Sequence, residues 1–416
     1  MTATEESDIY LDRTRSAFLW TRIMRTPLWA IYCMLPFILF RDLHATPIQI
    51  AMAVALKPVV SIFSLYWSSA IDNRRDRLVS NIIWANILGV IPFFFFPYFE
   101  SPWFFILALG LFMMLHRGVI PAWMEIMKLN LPRVYRQRIF AYATAFGYLG
   151  DGVFPFLIGW LMDGYHEAWR WIFPVTAFIS LTSILFLIRF PIRQTTEEPV
   201  RQPVGSMKEH LLRPWKNSWK LLWNRPDFQK FQTGFMLGGT GLMLMHPVLP
   251  VFFMDFLQLS YTELAIALTL CKGIGFALTN QVWAQWMNRV DIYRFSSLVT
   301  LLASLFPLCL LAAKSQIMMV YVAYFVYGIM QAGSELSWNL SGPIFAQEEE
   351  STVYSGVNVV TVGIRGCVAP MMGTLLGSLW GPSVALMVGG VFCLLATYRM
   401  ASYSNEYGEA ATRAVS

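Results

Sequence analysis

Twelve stretches of about 20 predominantly apolar residues recur along this chain, and no other feature of the sequence restricts its fold so strongly. They are read at 19–40, 48–70, 79–98, 103–126, 138–162, 168–189, 230–254, 262–286, 295–313, 317–341, 353–378 and 382–400. A bilayer core of about 30 Å is crossed by about 20 helical residues, so each run is long enough to span it. Water is absent there, so every backbone amide has to be bonded internally, which an isolated apolar run achieves only as a helix. Charged residues make up 13% of the 416 and apolar residues 56%. A soluble domain carries about 25% charged residues, so the reading is an all-α membrane protein.

One segment breaks the rhythm. Residues 191–229 are polar and basic, and they separate a first group of six spans (residues 1–190) from a second (230–416). Within this linker "MKEHLLRPWKNSWKLLW" has the pattern of an amphipathic helix lying on a membrane surface. With the N-terminus placed in the cytoplasm, 24 of the 31 Lys and Arg residues fall in cytoplasmic segments and only Arg41, Arg170 and Lys314 on the opposite side. This positive-inside bias predicts cytoplasmic termini and a cytoplasmic linker, as in an inner-membrane protein. It also accounts for the net charge of +6 without nucleic acid. The first apolar run ends in "LFRDLH" with no cleavage pattern, so it is read as a retained span. Cys33, Cys271, Cys309, Cys367 and Cys393 all lie in apolar runs without metal-ligand spacing. No metal site, cofactor motif, nucleotide-binding loop or catalytic triad is read, so the chain is not expected to be an enzyme.

A shift of about 215 residues superposes Lys57 on Lys272, Trp123 on Trp338, Pro155 on Pro370 and "WSSAIDNRR" on "WAQWMNRVD". The halves are therefore read as repeats. Six spans per repeat is an even number, so both enter from the same side and the pseudo-two-fold axis runs along the membrane normal.

Three local motifs resemble those of the major facilitator superfamily. Between spans 2 and 3, "SSAIDNRRDR" supplies Ser68, Asp72, Arg74 and Arg75 in the place of that family's Gly-x-x-x-Asp-Arg pattern, with serine for the glycine and Asn73 for the first arginine. A degraded copy between spans 8 and 9 holds Asn288 where the acid stands and retains Arg289, and "WRWIF" (169–173) is similar to the entry to span 6. The resemblance implies twelve spans in two pseudo-symmetric six-helix bundles, and a cytoplasmic gate in which Asp72 meets the start of span 11. It also implies a cavity lined by spans 1, 4, 7 and 10, with spans 2, 5, 8 and 11 at the seams.

Six ionisable residues lie well inside the spans: Lys57, Arg117, Asp151, Lys272, Glu335 and Arg365. A charge at the bilayer centre costs about 2.5–3.5 kcal/mol, so each is expected to pair or to face water. Depth along the helices predicts Asp151 against Lys272 and Glu335 against Arg365. Four cations against two anions point to a site completed by an anionic group of a small-molecule solute, which the planar fork of arginine suits. Tyr32, Trp338 and Asn339 are expected in the cavity wall. Asp151 and Glu335 are candidates for carrying a coupling proton, as in symport. Gly363 and Gly366 leave room beside Arg365 for a neighbouring helix. The leading expectation is a monomeric secondary transporter of a small anionic or zwitterionic solute. Efflux of amphipathic drug-like compounds, and a non-transporting sensor or assembly factor of the same fold, are the competing readings.

Overall fold

The computed structural model of the chain describes residues 3–63, 66, 77–131, 139, 153–165, 167–188, 190–191, 207–346 and 351–412. Ser68, Asp72, Arg74, Arg75 and Asp151 lie outside them. Within the described residues the chain is helical and holds no strand. The helices are α1 (Ala3–Arg41), α2 (Pro47–Ser61), α3 (Leu78–Tyr98), α4 (Pro102–Asn130), α5 (Val153–Gly164) and α6 (Trp169–Phe186). They continue as α7 (Met207–Asn224), α8 (Pro226–Phe256), α9 (Tyr261–Met287), α10 (Ile292–Ala312), α11 (Met319–Ala346), α12 (Ser351–Trp380) and α13 (Pro382–Thr412). Among the described residues nine helices are long and apolar enough to cross a membrane, and α2 and α5 are shorter apolar helices.

Local sequence explains where several of them start. Thr46 caps α2 by accepting from the Gln49 amide while the Gln49 side chain accepts from the Thr46 amide, and Pro47 opens the helix. Ser260 and Glu263 form the same reciprocal box at α9. Asp291 caps α10 by accepting from the Tyr293 and Arg294 amides, and its second oxygen accepts from the Ser404 hydroxyl of α13. Asp291 is thus the carboxylate that caps a helix in the loop between spans 8 and 9. Asn288, at the C-terminal end of α9, and Arg289 are both exposed.

The chain forms two compact units: Met1–Leu43 with Phe63–Val204, and His44–Ile62 with Gly205–Ser416. In the first, Phe93 and Phe96 of α3 pack with Phe105 of α4 and Phe173 of α6, with the Phe96 and Phe105 rings 4.2 Å apart. Arg170, one of the few basic residues read as extracytoplasmic, is fixed there by Glu167 at 2.8 Å, Glu100 at 3.1 Å and the Pro97 carbonyl at 3.4 Å.

The second unit includes α2, which packs along α12. A Cβ on Gly366 would lie 2.3 Å from the Pro58 Cγ, and one on Gly363 2.3 Å from the Ile62 Cδ1. The close approach expected beside Arg365 is therefore made, and the neighbour is α2. In α8 the regular helix gives way at His246–Val248, where Pro247 removes a backbone donor, and loosens into a wider π turn over Phe252–Phe256. A second π segment, Ile266–Cys271, precedes Lys272 in α9.

Candidate functional site

The second unit encloses a pocket of about 200 Å³ whose lining includes Phe235, Gly239, Met243, His246, Ser337 and Arg365. Arg365 is 8% exposed. Its Nη1 donates to the Phe235 carbonyl at 3.0 Å, its Nε points at the Met243 sulfur at 3.3 Å, and its Cζ stands 5.4 Å from the centre of the Phe235 ring. Room for the guanidinium comes from a missing side chain, because a Cβ on Gly239 would fall 1.7 Å from Nη1. Phe235 is held in turn by Trp338, whose ring stacks on it at 5.7 Å and 30°. Arginine has five N–H donors. One carbonyl and one weak sulfur acceptor leave most of them unused, and among the described residues no carboxylate lies within 4 Å to form an ion pair with Arg365.

This corrects the expected Glu335–Arg365 pair. Ser334 and Ser337 face the pocket, whereas Glu335, about 100° further round α11 than Ser334, is exposed. Asn339 is exposed too, and its amide donates to the Glu335 carbonyl at 2.9 Å. Trp338 stands behind the lining, stacked on Phe235, rather than in it. Lys57 of α2 and Lys272 of α9, matched by the internal repeat, both lie within Coulombic range of His246, which lines the same pocket as Arg365. The expected partner of Lys272, Asp151, lies outside the described residues.

Below Arg365 a buried polar chain joins α8, α11 and α12. Gln232 donates to the Asn358 amide oxygen, Asn358 donates to the Ser341 hydroxyl at 2.9 Å, and Thr361 donates to the Gln232 carbonyl oxygen at 3.3 Å. Gln232, Asn358 and Ser341 are almost fully buried. Such a network fixes the three helices in one register, because any slip leaves amide groups unbonded in an apolar interior.

The first unit carries a comparable cluster of cationic and aromatic side chains. Arg25, Trp29 and Tyr32 fall on one face of α1, at spacings of four and three, opposite Phe112 and His116 of α4. Trp29 stacks on Tyr32 at 4.9 Å, Phe112 on His116 at 6.0 Å, and the Arg25 guanidinium stands 5.8 Å from the Phe112 ring centre. Tyr32 is buried, and the Nε of half-buried Arg117 is shut off from solvent without a hydrogen-bond partner. Arg25 and His116 are additions to the sequence reading, which counted Arg25 with the cytoplasmic charges. Its helical spacing to Trp29 and Tyr32 was the signal that places it in this cluster. Each unit thus offers at least one guanidinium group beside stacked aromatic rings, a surface that favours a planar or oxygen-rich anion.

Comparison with known proteins follows the same lines. The family model described as Major Facilitator Superfamily matches residues 21–370. The structure of the nucleoside transporter NupG is similar at a TM-score of 0.74 and 13% identity, covering 94% of this chain and 99% of that one. A POT family transporter in complex with a thioalcohol-conjugated peptide gives 0.71 and 12%, covering 95% and 96%. A bacterial homolog of the human lysosomal transporter Spinster, inward-facing and unoccupied, gives 0.61 and 16%, covering 98% and 97%. No curated protein matches in sequence. At these identities the likeness is one of fold.

Proposed function

Because the chain belongs to the major facilitator superfamily, we propose that it is a secondary transporter moving a small anionic solute by alternating access of two six-helix bundles around a midplane site. One observation carries the choice of an anion: a buried guanidinium in a pocket, held by a carbonyl, a thioether and a ring face, with no carboxylate in salt-bridge range among the described residues. A cation kept from water is stabilised by a counter-charge, and a solute carboxylate or phosphate supplies it. Lys57 and Lys272 add positive potential to the same unit, and Arg117 with Arg25 supplies the first unit's share. A zwitterion fits the same site through its acidic group. The names of the structural neighbours refer to a nucleoside and to a peptide, so they do not converge on one solute.

In this reading twelve spans divide at the cytoplasmic linker 191–229, the termini share its side of an inner membrane, and the protein acts as a monomer. Asp72, Arg74 and Arg75, with Ser68, form the cytoplasmic gate, and Asp151 or Glu335 carries a coupling proton. The test is uptake by purified protein in proteoliposomes against a panel of labelled carboxylates, organophosphates and zwitterions. Arg365→Gln is expected to raise the apparent KM for the transported anion at least tenfold, about 1.4 kcal/mol of lost binding. Normal uptake by both Arg365→Gln and Arg117→Gln would end the anion-site reading. Uptake unchanged when the pH gradient is collapsed would end proton coupling alone.

A further inference from the structure

A second interaction surface lies outside the pocket, on α7. Only Arg225 separates the last residue of α7 from the first of α8. Arg225 is fixed on four sides: Asp227 at 3.0 Å, the Tyr354 hydroxyl at 2.8 Å, the Phe345 carbonyl at 2.9 Å and the Tyr354 ring at 5.6 Å. The end of α7 is therefore held at the level where the apolar span α8 begins, which is the boundary between bilayer and water.

The two faces of α7 differ. Ser218 is buried, and Leu221 and Leu222 pack against the cluster of Phe228, Phe231 and Tyr354. At 100° per residue, Leu212, Lys216, Trp219, Lys220 and Trp223 share about 100° of arc on the other side. All five are exposed, Trp219 at 70% and Trp223 at 75%. Two indoles so open are poorly placed in water, whereas indole rings favour the headgroup zone of a bilayer and lysine stems reach from there to phosphate. The tryptophans line a groove of about 410 Å³ together with Leu222, Met236 and Leu237, and with the polar side chains of Gln229, Gln232, Thr233 and Thr361. The sequence of α7 is basic, with Lys208, Arg213, Lys216 and Lys220 against Glu209.

We propose that this face of α7 is a binding surface for anionic phospholipid of the cytoplasmic leaflet. Lys216 and Lys220 meet lipid phosphate, Trp219 and Trp223 lie at the glycerol level, and the groove beside them takes apolar chain. The proposal rests on the cytoplasmic placement of the linker argued above, and it does not depend on the solute.

The test places a nitroxide at position 219 or 223 in the full-length protein, as Trp219→Cys or Trp223→Cys with the native cysteines replaced. The protein is reconstituted in vesicles of phosphatidylcholine with or without phosphatidylglycerol. Relaxation by dissolved oxygen against an aqueous nickel chelate reports the depth of the label. In phosphatidylglycerol-containing vesicles both labels are expected at headgroup depth. Lys216→Gln with Lys220→Gln is expected to weaken the preference for the anionic lipid roughly thirtyfold, about fivefold for each lysine. A thermal unfolding midpoint near that of the parent protein shows that the double variant is folded, since both lysines are exposed. Full nickel access at both positions overturns the proposal, as does a depth indifferent to phosphatidylglycerol and to the lysines. Label depth reads nothing of transport, so failure here leaves the Arg365 pocket standing, and normal uptake by Arg365→Gln leaves this surface standing.

Discussion

Replacing Gly239 with alanine separates the housing of Arg365 from the stability of the helix that provides it. The added Cβ would lie 1.7 Å from Nη1, 2.1 Å from Cζ and 2.6 Å from Nη2 of Arg365, so the guanidinium has to leave. It then loses the charged hydrogen bond to the Phe235 carbonyl, about 1.5–3 kcal/mol, and the ring contact, about 1–2 kcal/mol. Against this, alanine is the better helix former by about 1 kcal/mol. The balance is a destabilisation of about 1.5–4 kcal/mol in the presence of Arg365. In an Arg365→Gln background the shorter side chain gives way, and Gly239→Ala should then be neutral or stabilising by up to about 1 kcal/mol. The assay is a double-mutant cycle on thermal unfolding in detergent or nanodiscs, with proteoliposome uptake alongside. The reversal of sign is the signature. Equal effects of Gly239→Ala in both backgrounds would refute the notch as the reason Arg365 sits where it does. Unimpaired uptake by Gly239→Ala itself would detach the arginine's position from transport.

Two further substitutions probe the frame around the site. Asn358→Leu removes the hub that joins Gln232 to Ser341 and strands the Gln232 amide in an apolar interior, so thermal unfolding should register a loss of about 2–3 kcal/mol. Arg170→Gln should cost only about 1 kcal/mol, because Glu100 is 81% exposed and contributes little, and most of the loss falls on the Glu167 and Pro97 contacts. High salt is expected to shrink the effect of the Arg170 substitution and to leave that of Asn358 unchanged.

The apolar runs made the helical class legible, because length and hydropathy alone decide whether a helix suits a bilayer, and the family was legible in three local motifs. The buried cations were legible for a related reason: a charge in such a run is conspicuous and has to be compensated. The identity of the compensation was not. Residue counting measures depth, and depth suggested Glu335 for Arg365. The structure answers with a carbonyl, a sulfur and a ring, made reachable by the absence of a side chain at Gly239, to which hydropathy is blind. Arg25 was hidden by the convention of assigning charges near a span's end to the loop. Asp291 was hidden by the motif, which directs attention to Asn288 although the capping carboxylate stands three residues later. Gly363 and Gly366 were correctly read as a site of close approach, since small residues four or fewer apart on one helix face have few other uses.

The partnership of α2 with α12 bears on how the protein is made. During synthesis α2 reaches the membrane well before α12, which carries the two glycines against which Pro58 and Ile62 fit. Until α12 emerges, α2 is a short apolar helix that carries Lys57 and lacks its main packing surface. A chain arrested before α12 would thus present an unfinished seam to membrane quality control, and the packing of α2 waits on α12.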